Sequence, residues 1–243
     1  MSAMSMERSP VAVPIVAGTA IRGIAASLMM NGVLQRHPNA FLLTLERWGV
    51  SIRLEESQQY LSRAIRAGLL AQNRDPDSPI VLVGHSQGGL AVLRYAVDHS
   101  DQVAHVVSVG TPWNGARLAG TANAVVHLLL RRNLPALVDM TPSSEFLTAL
   151  HDDLPTITDR VTNIYSTREI LIEPYTSAHI PAVTNVLIAT RKEYEKHLRM
   201  FGDTHPVDLL IEGRVTHLGE MSSPDVRGVI WRTVSEVSAG LDG

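Results

Sequence analysis

Residues 80–91 read IVLVGHSQGGLA. An apolar run meets Gly84-His85-Ser86-Gln87-Gly88, and a small apolar stretch follows. A serine hydroxyl is a weak nucleophile until something exposes it and a base takes its proton. Gly-x-Ser-x-Gly at a strand-to-helix turn meets the first need. The turn is so tight that flanking side chains would collide, and it leaves the serine strained with its hydroxyl outward. It also aims the next helix's N-terminus, and the amide of Gln87, at a reacting oxygen. In a chain this long, two glycines and a serine at this spacing arise by chance about 0.1 times at average residue usage. Ser86 is therefore the expected nucleophile. The alternative is a glycine-rich turn without chemistry.

A nucleophilic serine needs a base, and the base needs an orienting acid. Enzymes built on this turn carry both after the serine, acid first. The histidines beyond Ser86 are His99, His105, His127, His151, His179, His197, His205 and His217. His217, in IEGRVTHLGEMSSPDV, falls after the last expected strand and before the closing helix, where a loop at the sheet edge can reach back. His205, in GDTHP, competes with it. The others read as surface or core histidines. For the acid, VTNIYSTREILIEP offers Glu169 and Glu173. Glu169 lies three residues past Ser166, at a strand's C-terminal end, and is preferred. Glu173 precedes Pro174 and begins the next turn. The plain alternative for Glu169 is a solvated loop residue paired with Arg168. A second oxyanion donor is expected from the loop after the first strand, IVAGTA, where the amide and hydroxyl of Thr19 are candidates.

These residues need a scaffold. Short apolar runs alternate with helical patterns. Strands are expected at 13–18, 39–45, 79–84, 103–110, 161–166 and 207–213, and helices at 25–37, 51–72, 89–99 and 224–241. Fully apolar strands alternating with helices predict a mostly parallel sheet covered on both faces. Between Gly115 and Leu154 the rhythm breaks: an apolar helical stretch and a loop with Pro135 and Pro142 suggest an insertion above the sheet. Two ordinary packing helices are the alternative. RKEYEKHLRMFGDTHP (191–206) reads as a second insertion.

Length and composition set the limits. A chain of 243 residues suits one large domain or two small ones and is long enough to bury a sizeable core. The formal net charge of −3 gives no reason to expect a nucleic-acid partner. The absence of cysteine excludes disulfides, thiolate chemistry and cysteine-ligated metal. No apolar stretch is long enough to span a bilayer. MSAMSMERSPVAVP lacks the pattern of a signal peptide, so a cytoplasmic location is expected.

The motifs together resemble the microbial triacylglycerol lipase and esterase branch of the α/β-hydrolases, over roughly residues 11–240. LVGHSQGGL matches the nucleophile turn, and VSVGTPWNGARLAG resembles the family's Gly-Thr-Pro-x-x-Gly-x-x-Leu-Ala segment. ALVDMTPSSEFLTAL resembles the lid-to-strand stretch, VTNIYSTREILIEP the acid segment, and THLGEMSSPDV the histidine loop. The resemblance implies an α/β-hydrolase fold in a single domain with a helical lid over about 115–154. It implies Ser86 as nucleophile, Glu169 as acid and His217 as base. Two features depart from the family. Many members carry His-Gly after the first strand where this chain has Ala17-Gly18, and Gly18-Thr19 is instead similar to the lipase-B type. The family acid is usually Asp, and Glu169 is longer by a methylene.

The expected activity is hydrolysis of carboxylic esters by Ser86, His217 and Glu169, with Thr19 and Gln87 holding the oxyanion. No metal or cofactor is expected, and the partner is a small acyl ester or lipid-like substrate. The same machinery could serve an acyl thioesterase, or an acyltransferase or cyclase with an acceptor other than water. A non-catalytic binding protein on the same scaffold is the weakest alternative.

Overall fold

The structure is a computed structural model describing residues 11–18, 31–35, 37–44, 52–116, 135–169 and 172–241. Among the described residues seven strands run in chain order: β1 Val13–Ala17, β2 Ala40–Thr44, β3 Ile80–His85, β4 Val103–Val109, β5 Val161–Ser166, β6 Thr184–Ala189 and β7 Leu209–Glu212. They form one sheet in the order β2-β1-β3-β4-β5-β6-β7, with every neighbouring pair parallel. The result is a parallel sheet between helical layers.

Among the described residues the helices are α1 Leu54–Ala71, α2 Gln87–Asp98, α3 Pro135–Asp139, α4 Glu145–Asp153, α5 Arg191–Phe201 and α6 Pro224–Leu241; residues 31–34 are also helical, and residues 25–30 of the helix expected there lie outside the described residues. Alternation along the strands feeds two cores. Val16, Ile80 and Leu82 point to one face and meet Leu61 and Ile65 of α1, Leu90 and Leu93 of α2, and Leu147 and Leu150 of α4. Val13, Ile15, Val81, Val83 and Val107 point to the other face and meet Val226, Ile230 and Val234 of α6.

β6 was not among the strands expected from sequence. Its apolar run, Val186–Ala189, is buried, but a run of four residues carries no periodicity to separate strand from coil. The stretch 191–206 holds α5, which connects β6 to its parallel neighbour β7. Thr190 and Glu193 form a capping box at its start, a pattern readable in the sequence.

The insertion expected at 115–154 lies partly outside the described residues. What is described packs into the first core through Met140, Phe146, Leu147, Leu150 and Leu154. The end of α3 is tied to α1. Buried Asp139 accepts from the Leu54 amide at 2.7 Å and pairs with Arg53. The apolar stretch at 118–134 lies outside the described residues.

The strand order turns at one place. From β1 the chain moves outward to β2, then returns to the opposite side of β1 as β3. A crevice opens at such a switch point, beyond the strands' carboxyl ends, where ligands of open α/β sheets bind. Ala17-Gly18 and His85-Ser86 leave the sheet at that point.

Candidate active site

Ser86 stands between β3 and α2 with φ 56° and ψ −127°. A non-glycine residue in that region is strained and persists only where the surroundings impose it. Here they do. The Ser86 amide donates to the Val109 carbonyl at 2.8 Å, and the Ser86 carbonyl accepts from the Gly89 amide at 2.9 Å. The flanking glycines have no room for a side chain. A Cβ on Gly84 would lie 2.5 Å from Val92 Cγ2, and one on Gly88 would lie 2.4 Å from the Val16 carbonyl oxygen. Although Ser86 occupies the N-cap of α2, its hydroxyl makes no capping hydrogen bond. The residue is part-exposed at the head of an otherwise buried strand.

Gly18 faces the serine across the switch point. A Cβ there would stand 2.7 Å from Ser86 Cβ and 3.3 Å from its Oγ. Thr19, expected as an oxyanion donor, lies outside the described residues. Gln87 is the first residue of α2 and is buried, so its amide belongs to the helix's positive end.

The other half of the site is built by two loops. β5 ends at Ser166, and Glu169 follows three residues later. A parallel bridge joins Arg168 to Thr216, and Ser166 Oγ donates to the Val215 carbonyl at 2.5 Å. That register sets Glu169 beside His217. The carboxylate oxygen Oε2 of Glu169 lies 2.8 Å from His217 Nδ1, with both side chains buried. The separation is that of a charge-assisted hydrogen bond, but the ring N–H does not point along it.

Arg168 is committed elsewhere, to Glu193 Oε1 of α5 at 2.7 Å, so it does not neutralise Glu169. The two residues weighed against this pair sit apart from it. Glu173 is exposed. The His205 carbonyl accepts from His197 Nε2 at 2.9 Å, and its ring stacks edge-on to His179 and Phe201.

Two further residues join the site, and neither was singled out from sequence. His85, one residue before the serine, is fully buried. Its Nε2 stands 3.1 Å from the His217 carbonyl oxygen, and the two rings pack with centroids 4.7 Å apart. Since a carbonyl only accepts, Nε2 carries the ring proton. Burial, and secondarily the neighbouring His217, push His85 down to about 3, so it is a neutral donor. It ties the serine turn to the histidine loop. Glu220, three residues after His217, is also fully buried. Its Oε2 lies 3.8 Å from His217 Nδ1 and 3.6 Å from His85 Nε2. Burial, then the Glu169 charge, hold its pKa well above the usual carboxylate range. An acid within one turn of the histidine was the signal available in THLGE.

His85, His217 and Glu220 bring potential ligand atoms within 4.8 Å of one another. His85 Nε2 donates to a backbone carbonyl, and His217 Nδ1 lies 2.8 Å from the Glu169 carboxylate. The cluster is therefore read as a proton and hydrogen-bond network.

A family model described as the alpha/beta hydrolase fold matches residues 61–148, from α1 through α4. The match and the solved structures below show that the chain has the α/β-hydrolase fold. It is similar to the mature lipase BlEst2 of Bacillus licheniformis, at TM-score 0.56 and 14% identity over 93% of this chain and 92% of that one. It is also similar to MGS-MChE2, an alpha/beta hydrolase enzyme from a lagoon-sediment metagenome, at TM-score 0.54 and 17% identity over 93% and 91%. Aspergillus fumigatus lipase B aligns at TM-score 0.51 and 18% identity over 74% of this chain but 44% of that one. No curated protein matches the chain.

Proposed function

We propose that the protein is a serine hydrolase of carboxylic esters, of the lipase and esterase type. The observation that carries this reading is the buried Glu169 carboxylate 2.8 Å from His217 Nδ1, in a chain whose one Gly-x-Ser-x-Gly turn holds its serine at positive φ. Ser86 Oγ attacks the ester carbonyl while His217 takes its proton. The developing oxyanion is held by the amide of Gln87 and by Thr19, each such donor being worth about 3 kcal/mol in related acyl transfer. Collapse breaks the carbon–alcohol bond, and His217 passes its proton to the leaving alkoxide. Water, deprotonated by the same imidazole, then attacks the acyl-enzyme and releases the acid and Ser86. Glu169 keeps Nδ1 protonated and stabilises the imidazolium formed in each half.

The likeness to a bacterial and a fungal lipase supports this class, and the identity of the acyl group follows from a chain-length series. A fluorophosphonate probe should label the wild-type protein and leave Ser86→Ala unlabelled, with the fold of the variant unchanged by circular dichroism. Retained labelling in Ser86→Ala would refute the assignment. Nitrophenyl esters and acyl-CoA thioesters assayed in parallel separate ester from thioester chemistry.

A further inference from the structure

Two buried carboxyl groups, Glu169 and Glu220, converge on one nitrogen, at 2.8 Å and 3.8 Å from His217 Nδ1. Both side chains are fully shielded from solvent. Among the described residues the basic groups at ion-pair distance from either are His85 and His217 alone. His85 is neutral, so at most one cation faces two acids. None of the four carboxylate oxygens has an aligned hydrogen-bond donor among the described residues. Two unpaired anions at such a site would cost several kcal/mol each, and like charges this close cannot both ionise cheaply.

We propose that Glu220 is held as a neutral carboxylic acid that donates its proton to the Glu169 carboxylate, and so positions that carboxylate against His217. The proposal rests on the reading of Glu169 and His217 as acid and base. One proton then removes one of the two anions and gives Glu169 a donor. The groups facing Glu220 agree with this. His85, from the end of β3, is a neutral ring whose Nε2 is spent on the His217 carbonyl. Gly110, after β4, approaches closely: a Cβ there would lie 2.1 Å from Glu220 Oε2. It offers only backbone. Glu169 comes from the loop after β5, and His217 from Glu220's own turn. The raised pKa of Glu220 has burial and the Glu169 charge as its causes, which is the same physics seen from the proton's side.

The arrangement also answers the departure from aspartate. Glutamate has one more rotatable bond, and ordering it costs entropy. A short donor from Glu220 fixes the longer side chain. Glu220 touches no substrate atom in this scheme; it is a positioning residue.

The test compares wild type with Glu220→Gln and Glu220→Leu. Gln keeps a neutral donor of similar shape, whereas Leu removes it. The labelling rate of Ser86 by a fluorophosphonate reports nucleophile activation without knowledge of the natural substrate. Gln should label at close to the wild-type rate. Leu should label about 10- to 100-fold more slowly, the worth of one hydrogen bond to a charged group, with the loss in the inactivation rate constant rather than in probe binding. Infrared difference spectra at pH 7 should show a protonated-carboxyl band in wild type that Glu220→Gln lacks. That band tests the proton whether or not the leucine variant folds. A missing band in wild type overturns the proposal, as does a Gln variant slowed as much as Leu. A wild-type protein that the probe does not label instead refutes the catalytic reading, while the infrared result still reports on the proton.

Discussion

The two ends of the candidate site are built by different physics. At the serine end the backbone does the positioning. Ser86 is held at positive φ by hydrogen bonds to Val109 and Gly89, and Gly84 and Gly88 admit the close approach of α2 and β1. At the acid–base end the backbone brings loops together through the Arg168–Thr216 bridge, and buried charge decides the rest. The first end depends on what is absent, namely side chains on glycines. The second depends on which of four buried titratable groups, His85, Glu169, His217 and Glu220, hold protons. Damage at the first end should therefore appear as steric destabilisation. Damage at the second should appear as lost rate and altered pH dependence.

Glu169→Gln should break the acid–base end most severely. An orienting carboxylate replaced by its amide costs about 10⁴ in kcat in a related triad, with little loss of fold. Glu173→Gln, at an exposed position, should leave kcat near wild type. Steady-state kinetics on a short-chain ester measures both, and reversed outcomes would move the acid to Glu173.

Gly88→Ala should break the serine end in the opposite manner. Its Cβ would sit 2.4 Å from a backbone oxygen of β1, and backbone cannot yield as a flexible side chain can. Overpacking of this kind costs about 1–3 kcal/mol. The urea midpoint should fall, and Ser86 should lose probe labelling because the turn must shift. An unchanged midpoint would show that the strand and helix can separate at no cost.

The smallest expected effect sharpens the comparison through pH. His85 is neutral in the folded chain, with its pKa down at about 3, whereas an unfolded histidine titrates near 6.5. As pH falls below about 6.5 the unfolded chain takes up a proton that the folded site refuses, so stability declines. At pH 5 the loss from this residue alone is about 2 kcal/mol. Glu220 has the opposite sign. Its raised pKa means that the unfolded chain releases a proton first as pH rises above about 4.3, so Glu220 lowers stability toward neutral pH. Urea midpoints at pH 5 and pH 7 should therefore show a shallower acid-side decline in His85→Gln than in wild type. Glu220→Gln should gain stability at pH 7 relative to pH 5. Parallel slopes in all three proteins would show that neither group is held away from its solution pKa.

Much of the architecture was legible from local pattern. The strand at 161–166 and the helix at 224–241 fall where apolar runs and helical spacing put them. The serine turn is also a local feature, because its glycines, serine and flanking elements are contiguous. β6 escaped notice because its four buried apolar residues have too little length for a period to emerge. Glu169 beside His217 could be suggested by order along the chain, but their contact depends on a bridge between residues 48 positions apart in number, Arg168 and Thr216. His85 and Glu220 were unreadable in a stronger sense. A histidine inside a nucleophile motif and a glutamate in a loop have no marked charge state on paper. Only the packing of β3, β4 and the histidine turn around Gly110 removes water from them, and desolvation is a property of what surrounds a group. The chain's local chemistry determined which residues could act. The folded environment decided which of them carry charge, because a proton's free energy depends on the dielectric and the neighbouring charges that tertiary contacts supply.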